Sequence, residues 1–401
     1  MESYIIDWFS LIVRWLHVIT GIAWIGASFY FIWLDNSLED PPQWKKDKGI
    51  KGDLWAVHGG GIYEVAKYHG APEAMPAHLH WFKWEAYSTW LSGMVLLMVI
   101  YYLGADSYLI DRRVAELSQA QAISLGIAFL VGSWGAYSLL CMSPLAKNGW
   151  LLGLVLLLLG GVLAWALTQS FSGRGAYIHF GAIIGTIMVG NVFHVIMPGQ
   201  RKLVAALETG AVPDPSWGAK AKLRSTHNTY LTLPLLFIMI SNHYPMTYGH
   251  ELNWLVLMVI VVITALSRQY FILRHVNINR PVILGAAMAA TALLAVLIAP
   301  KPIAPPQLAT AAHPVDLAPR AQAIISERCA TCHAAAPTDD VFAVAPGGVM
   351  LDTVEQMVQW APRIKARSID SHDMPFMNKT NMTDEERATV ALWIAAGAPA
   401  S

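Results

Sequence analysis

Cys329-Ala330-Thr331-Cys332-His333 has the residue types and spacing of a C-x-x-C-H motif. Such a motif attaches c-type haem: the two thiols form thioethers with the vinyl groups, and the adjacent imidazole becomes the proximal iron ligand. The same string could be a redox dithiol or half of a zinc site. The chain has only 3 cysteines, the third being Cys141, so no second pair completes a zinc site. Met374-Pro375 follows about forty residues later, where a small cytochrome c supplies a distal methionine. A Met/His pair raises the haem potential, which suits an electron acceptor. Met377 competes for that role, and Met350, Met357 and Met382 follow it; the ordinary use of a methionine is core packing.

A second set of chemically capable residues lies in apolar sequence, where ionisable groups are costly and therefore candidates for function. His17, His179, His194, His227 and His243 are the main members. His179 and His194 are fifteen residues apart, roughly 22 Å along a helix. On antiparallel helices, His179 would share one level with His243, and His194 another with His227, with His17 a substitute on the first. Two such levels suit axial ligands of non-covalent b-type haem. A copper site from His17, His179 and His243 is the alternative; the bland reading is histidines wetted at helix ends.

A third set lies in the connection 35–82 and at the start of the following span. Trp55-Ala56-Val57-His58 precedes Gly59-Gly60-Gly61, whose amides could approach an anion closely, and Lys67, His78, His80, Lys83 and Trp84 follow. Bases, cations and aromatic faces at this density point to a ligand pocket; a flexible loop is the competing explanation.

These residues need a scaffold, and composition identifies its class. Charged residues are 13% and hydrophobic residues 55%, with 16 tryptophans, a balance of polytopic membrane proteins. The formal net charge of +0 gives no reason to expect a nucleic-acid partner. Apolar stretches fall near 8–34, 83–103, 121–141, 150–168, 177–197, 228–244, 252–273 and 281–299. The expected fold class is all-α: a polytopic helix bundle of about eight spans over 1–300, then a small C-terminal cytochrome c domain. Span six is short and carries Pro234. The first stretch is too long for a cleavable signal peptide and reads as a retained span. Alternate connections hold fourteen basic residues, Arg224 and Arg268 counted among them, against Arg112, Arg113 and Arg174 in the other set. The richer set should be cytoplasmic. Both termini, and the haem c, would then be periplasmic on a bacterial inner membrane. Residues 301–319 are rich in proline and alanine and read as a semi-stiff linker; 320–401 is the cytochrome c domain.

Four strings carry a family resemblance: Trp15-Leu16-His17 through Ala23-Trp24-Ile25-Gly26, Leu54-Trp55-Ala56-Val57-His58-Gly59-Gly60-Gly61, Trp81-Phe82-Lys83-Trp84-Glu85-Ala86-Tyr87, and Arg224-Ser225-Thr226-His227-Asn228-Thr229-Tyr230. In combination they resemble the bacterial membrane-bound urate oxidase (urate hydroxylase) family, which joins an eight-span domain to a C-terminal cytochrome c. The first string alone also resembles the protoporphyrinogen oxidase and copper-export membrane families. The resemblance implies oxidation of urate to 5-hydroxyisourate, with electrons leaving through the cytochrome to a downstream cytochrome or terminal oxidase. It assigns no catalytic residues. From the residues themselves, His58, His80 or His227 could act as base, Lys67 or Lys83 could hold the urate anion, and Trp55, Trp81 or Trp84 could stack on the purine. The competing readings are a quinol-linked cytochrome subunit with no small substrate and a transporter with an attached cytochrome. The first predicts haem reduction by quinol and not by urate; the second predicts flux with no spectral change.

Overall fold

The computed structural model describes residues 2–299, 314–339, 342, 344–370 and 372–400. All eight apolar stretches lie in helices. In chain order these are α1 (Glu2–Ser37), α2 (Trp84–Leu96, continuing as a π turn Leu97–Tyr102), α3 (Gln119–Met142), α4 (Gly149–Thr168), α5 (Gly173–Asn191, running through a π turn Val192–Ile196 to Met197–Glu208), α6 (Pro215–Ser241), α7 (Asn253–His275) and α8 (Pro281–Leu297). Five of them, α1, α3, α4, α5 and α7, are long and apolar enough to cross a membrane. The other three miss that standard for separate reasons. α2 opens on polar turns with Glu85, Ser88 and Thr89, α6 opens on a polar stretch with Lys220, Lys222 and Arg224, and α8 is short at 17 residues.

α5 is the central helix: 50% of its apolar window is buried, against 22% for α3, α4 and α7. It packs on α6, α3, α4 and α2, while α1 leans mainly on α2. Small residues allow the close approaches. A Cβ on Gly190 would fall 2.1 Å from the Trp134 indole nitrogen, and one on Gly181 2.6 Å from Ile238. The outer face of α1 shows Trp8, Trp15 and Ile22, each at least half exposed, as a lipid-facing helix would.

The expectation of an all-α chain needs one correction. The segment between α1 and α2 carries an antiparallel hairpin, β1 (Ile50–His58) and β2 (Gly61–Tyr68), with His58 opposite Gly61. Gly59 and Gly60, at φ +58° and +81°, form the turn, a conformation that favours glycine. Two of the three glycines therefore serve the hairpin turn. Buried Lys45 pairs with Asp53 and Glu64, one on each strand of the hairpin. At its far end Trp55, Val57, Ile62 and Tyr63 are exposed.

The C-terminal unit is also helical: α9 (Pro314–Arg328), α10 (Val354–Ile364) and α11 (Asp384–Ala395). Of the stretch read as a linker, 301–313 lies outside the described residues, and 314–319 forms the start of α9. α9 packs across α11. Ile325, Leu351, Met357, Val390 and Trp393 form a core distinct from that of the bundle. Thr383 caps α11 in a reciprocal box with Glu386. Arg328 of α9 donates to the same Glu386 carboxylate, tying the two helices together.

Candidate functional site

The end of α9 delivers the C-x-x-C-H string. Cys329 closes the helix, buried, and His333 N–H donates to the Cys329 carbonyl at 2.9 Å. His333 Nδ1 lies 3.0 Å from the Val349 carbonyl, to which it donates. That bond fixes the tautomer and leaves Nε2 as the nitrogen that could bind iron. Burial pushes the Cys329 thiol up to about 12 and also raises that of Cys332. A redox dithiol needs a thiolate of lowered pKa, so that reading of the motif is disfavoured. The donor set and the held imidazole fit a covalent haem c.

The methionines sort by burial. Met357 and Met382 are core residues at 4% and 3% exposure, and Met350 lies at the surface. Met374 and Met377 are half-buried. Met374 is held through its backbone: its N–H donates to the Arg367 carbonyl at 3.0 Å, and its carbonyl accepts from buried Arg387 at 2.7 Å. Met377 sits at φ +52° in the following turn.

Between them, Phe376 reaches the bundle. Its ring lies 5.7 Å from that of Tyr108, and the Arg174 guanidinium covers both, 5.1 Å from Tyr108 and 5.7 Å from Phe376. Arg174 Nε donates to Tyr101 Oη at 3.2 Å, and the Tyr101 ring is 6.4 Å from His179. His179 is fully buried. Its Nδ1 donates to the Gly175 carbonyl at 2.9 Å, and its Nε2 is 3.3 Å from Tyr102 Oη. A continuous run of aromatic and polar contacts thus links the methionine segment to a histidine inside the bundle.

His17 of α1 is held in the same manner as His333. Its Nδ1 lies 3.0 Å from the Thr89 carbonyl and 3.0 Å from Ser92 Oγ. A Cβ on Gly93 would meet the His17 ring at 3.0 Å, and one on Gly126 would meet His179 Nε2 at 2.8 Å. His243 is exposed, and His194 is an exposed ring 5.0 Å from Trp134. The three histidines of the copper alternative are not gathered: among the described residues no group of three His, Cys, Asp or Glu could hold a metal ion.

A polar cluster joins α3, α5 and α6 towards the other end. His227 Nδ1 is 2.8 Å from Tyr137 Oη and 3.8 Å from Cys141 Sγ. Asn191 donates to Tyr137 Oη at 2.9 Å and to Asn228 Oδ1 at 2.8 Å. Arg224, assigned to a connection in the sequence reading, lies inside α6 and is buried. It donates to Asn191 Oδ1 and the Ser138 carbonyl, each at 3.3 Å, with Tyr137 beneath it at 4.9 Å. Arg268 likewise belongs to a helix and not to a connection, seven residues before the end of α7. The sequence reading named none of Tyr137, Asn191 and Arg268 as candidates; an arginine within an apolar run was the signal available.

The remaining candidates are not brought together. His58 is exposed at the hairpin turn, and Lys67 Nζ is tied to Asp35 at 2.6 Å. His80 is exposed beside Phe82, and Lys83 Nζ lies 5.5 Å from the Trp84 ring at the start of α2. Trp81 packs against Val189, Val192 and Met197, while Trp55 and Trp84 are exposed. An apolar groove between α4, α7 and α8, lined by Leu158, Trp165, Met258 and Ala290, offers a polar substrate almost nothing to bind and suits a lipid tail.

No curated protein and no solved structure matched the chain. The model of one family did, described as Urate oxidase N-terminal, over residues 3–299. That span takes in the hairpin, His17, His179, the Arg224–His227 cluster and all eight helices, and the chain belongs to the urate oxidase N-terminal family.

Proposed function

We propose that this protein crosses the membrane about eight times, oxidises urate to 5-hydroxyisourate and passes the electrons to a haem c on its C-terminal unit. One observation carries the reading. A single chain joins the urate oxidase N-terminal match to a C-x-x-C-H whose histidine is held through Nδ1, which leaves Nε2 as the nitrogen that could bind iron. Haem c supplies one-electron acceptance when bound; Cys329 and Cys332 would anchor it, His333 would ligate the iron, and Met374, with Met377 as its competitor, would complete the pair. Both termini and the C-terminal unit face the periplasm in this reading, and a downstream cytochrome or terminal oxidase receives the electrons.

The overall change is urate plus water giving 5-hydroxyisourate, two protons and two electrons. His227 is the best supported of the three bases considered. It is half-buried within a hydrogen-bonded cluster, where His58 and His80 are exposed. Its ring would take a urate proton as the electrons leave one at a time, and water then adds at C5. The Phe376–Arg174–Tyr101–His179 run supports a route between the bundle and the C-terminal unit, because it is the contact that seats the methionine segment on α5. His17 is the histidine best suited to hold a b-type haem on the way: its Nδ1 is held by the Thr89 carbonyl, whereas the Nε2 of buried His179 meets the Tyr102 hydroxyl.

Membranes containing the protein should consume oxygen on addition of urate, and inhibition of the terminal oxidase should stop that consumption. Hydrogen peroxide should not accumulate in proportion to urate. Inhibitor-resistant uptake with stoichiometric peroxide would mean direct reaction with oxygen and would overturn the proposal.

A further inference from the structure

Arg268 is 3% exposed, and its Nε and Nη2 are buried without a hydrogen-bond partner. Among the described residues no carboxylate forms an ion pair with it. Arg224, at a similar depth of burial, has its donors accepted by Asn191 and Ser138. A guanidinium does not discharge by losing its proton, so an unpartnered one in a low-dielectric interior is costly to keep. An anion from outside the chain would complete it.

The surroundings specify the shape of that anion. Phe29 of α1 covers one face of the guanidinium, with its ring centre 4.1 Å from Cζ. The Nε/Nη2 edge is a planar fork that matches two adjacent acceptors in one plane. Gln269 accepts a hydrogen bond from Tyr230 Oη of α6, which leaves its amide NH2 free to donate to a ligand. Phe29, Tyr230 and Gln269 are half-buried, so this corner between α1, α6 and α7 is not sealed. His227 and Tyr230 are three residues apart on α6 and therefore neighbours on its surface.

We infer that Arg268 anchors a flat, conjugated purine anion, its fork on a carbonyl oxygen and the adjacent ring nitrogen, with Phe29, Tyr230 and Gln269 lining the site. The ligand identity rests on the proposal that urate is the substrate.

The test uses the full-length protein in lipid nanodiscs, fully reduced with ascorbate so that bound urate cannot be turned over. Urate binding is measured by calorimetry, and thermal stability is measured without urate. Arg268→Gln should weaken binding by about 30-fold or more, as expected for losing a charge-assisted, two-point contact. Arg268→Lys should fall in between, because a point charge replaces the fork. Without urate, Arg268→Gln should be at least as stable as wild type, since an unpaired charge has been removed; a purely structural arginine would give the opposite sign. Should Arg268→Gln fail to fold, Arg268→Lys and Phe29→Leu carry the test, each expected to weaken urate binding. Variants that bind urate as tightly as wild type overturn this inference alone. So does normal urate affinity with loss of acid-extractable haem, which would assign Arg268 to a haem carboxylate. A reduced wild-type protein that binds no urate overturns this inference and the urate reading together.

Discussion

Replacing Cys329 and Cys332 together with alanine should remove all covalently bound haem from the chain and abolish urate-driven oxygen uptake. The thioethers are the only covalent link between the motif and the haem carbon skeleton, and without them only the axial ligands would hold the group. The bundle should still insert and fold. Its core, built around Leu109, Phe171, Tyr177 and Ile238, is separate from the core that packs Cys329 against Met357 and Trp393. Haem-stained denaturing gels read the first effect, and protease protection of the membrane fraction reads the second. A haem-staining band that persists in the double variant would contradict the assignment.

The purified protein should also carry more haem than one C-x-x-C-H motif can bind, and an acid-acetone extract should remove the excess. The reason is distance. The proposed purine corner near Arg268 and His227 and the proposed acceptor beside Arg174 lie towards opposite ends of the bundle: Asn191, in the His227 cluster, is seventeen residues along α5 from Arg174, roughly 25 Å. Electrons need an intermediate stop. His17→Ala should lower the extractable haem more than His243→Ala, because His17 is held at Nδ1 by Thr89 and Ser92 while His243 is exposed. One iron per chain with nothing extractable would contradict the prediction and place the substrate beside the C-terminal unit.

The positions of the helices were legible because apolar runs long enough to cross a bilayer are a strong signal. Their ends were less so. α6 begins at Pro215 and not near 228, because its first turns are polar and a hydropathy reading discards them. That error moved Arg224 into a connection, and Arg268 was counted with a connection although it lies within α7. Both are buried side chains that help to define the interior. The hairpin was hidden for a different reason. His58-Gly59-Gly60-Gly61 reads equally as a flexible loop, an anion cradle or a turn, and only the pairing of Trp55 with Glu64 and Val57 with Ile62 decides it. The proposed histidine levels were inferred from helix direction, which fixes height and not rotation. His179 points into the core and His243 out of it, so sharing a level did not give them a shared environment. In the C-terminal unit the Thr383 cap followed from local chemistry. The hold of Val349 on His333 comes from a residue sixteen positions away and could not be read locally.

The most direct test of the account is anaerobic addition of urate to the purified, oxidised, full-length protein while its haem bands are recorded. The account predicts that the c-type bands become reduced, with one urate consumed for every two electrons accepted. Bands that stay oxidised with urate, yet reduce at once with ascorbate or a quinol, would contradict it and leave an electron-transfer subunit without a urate site.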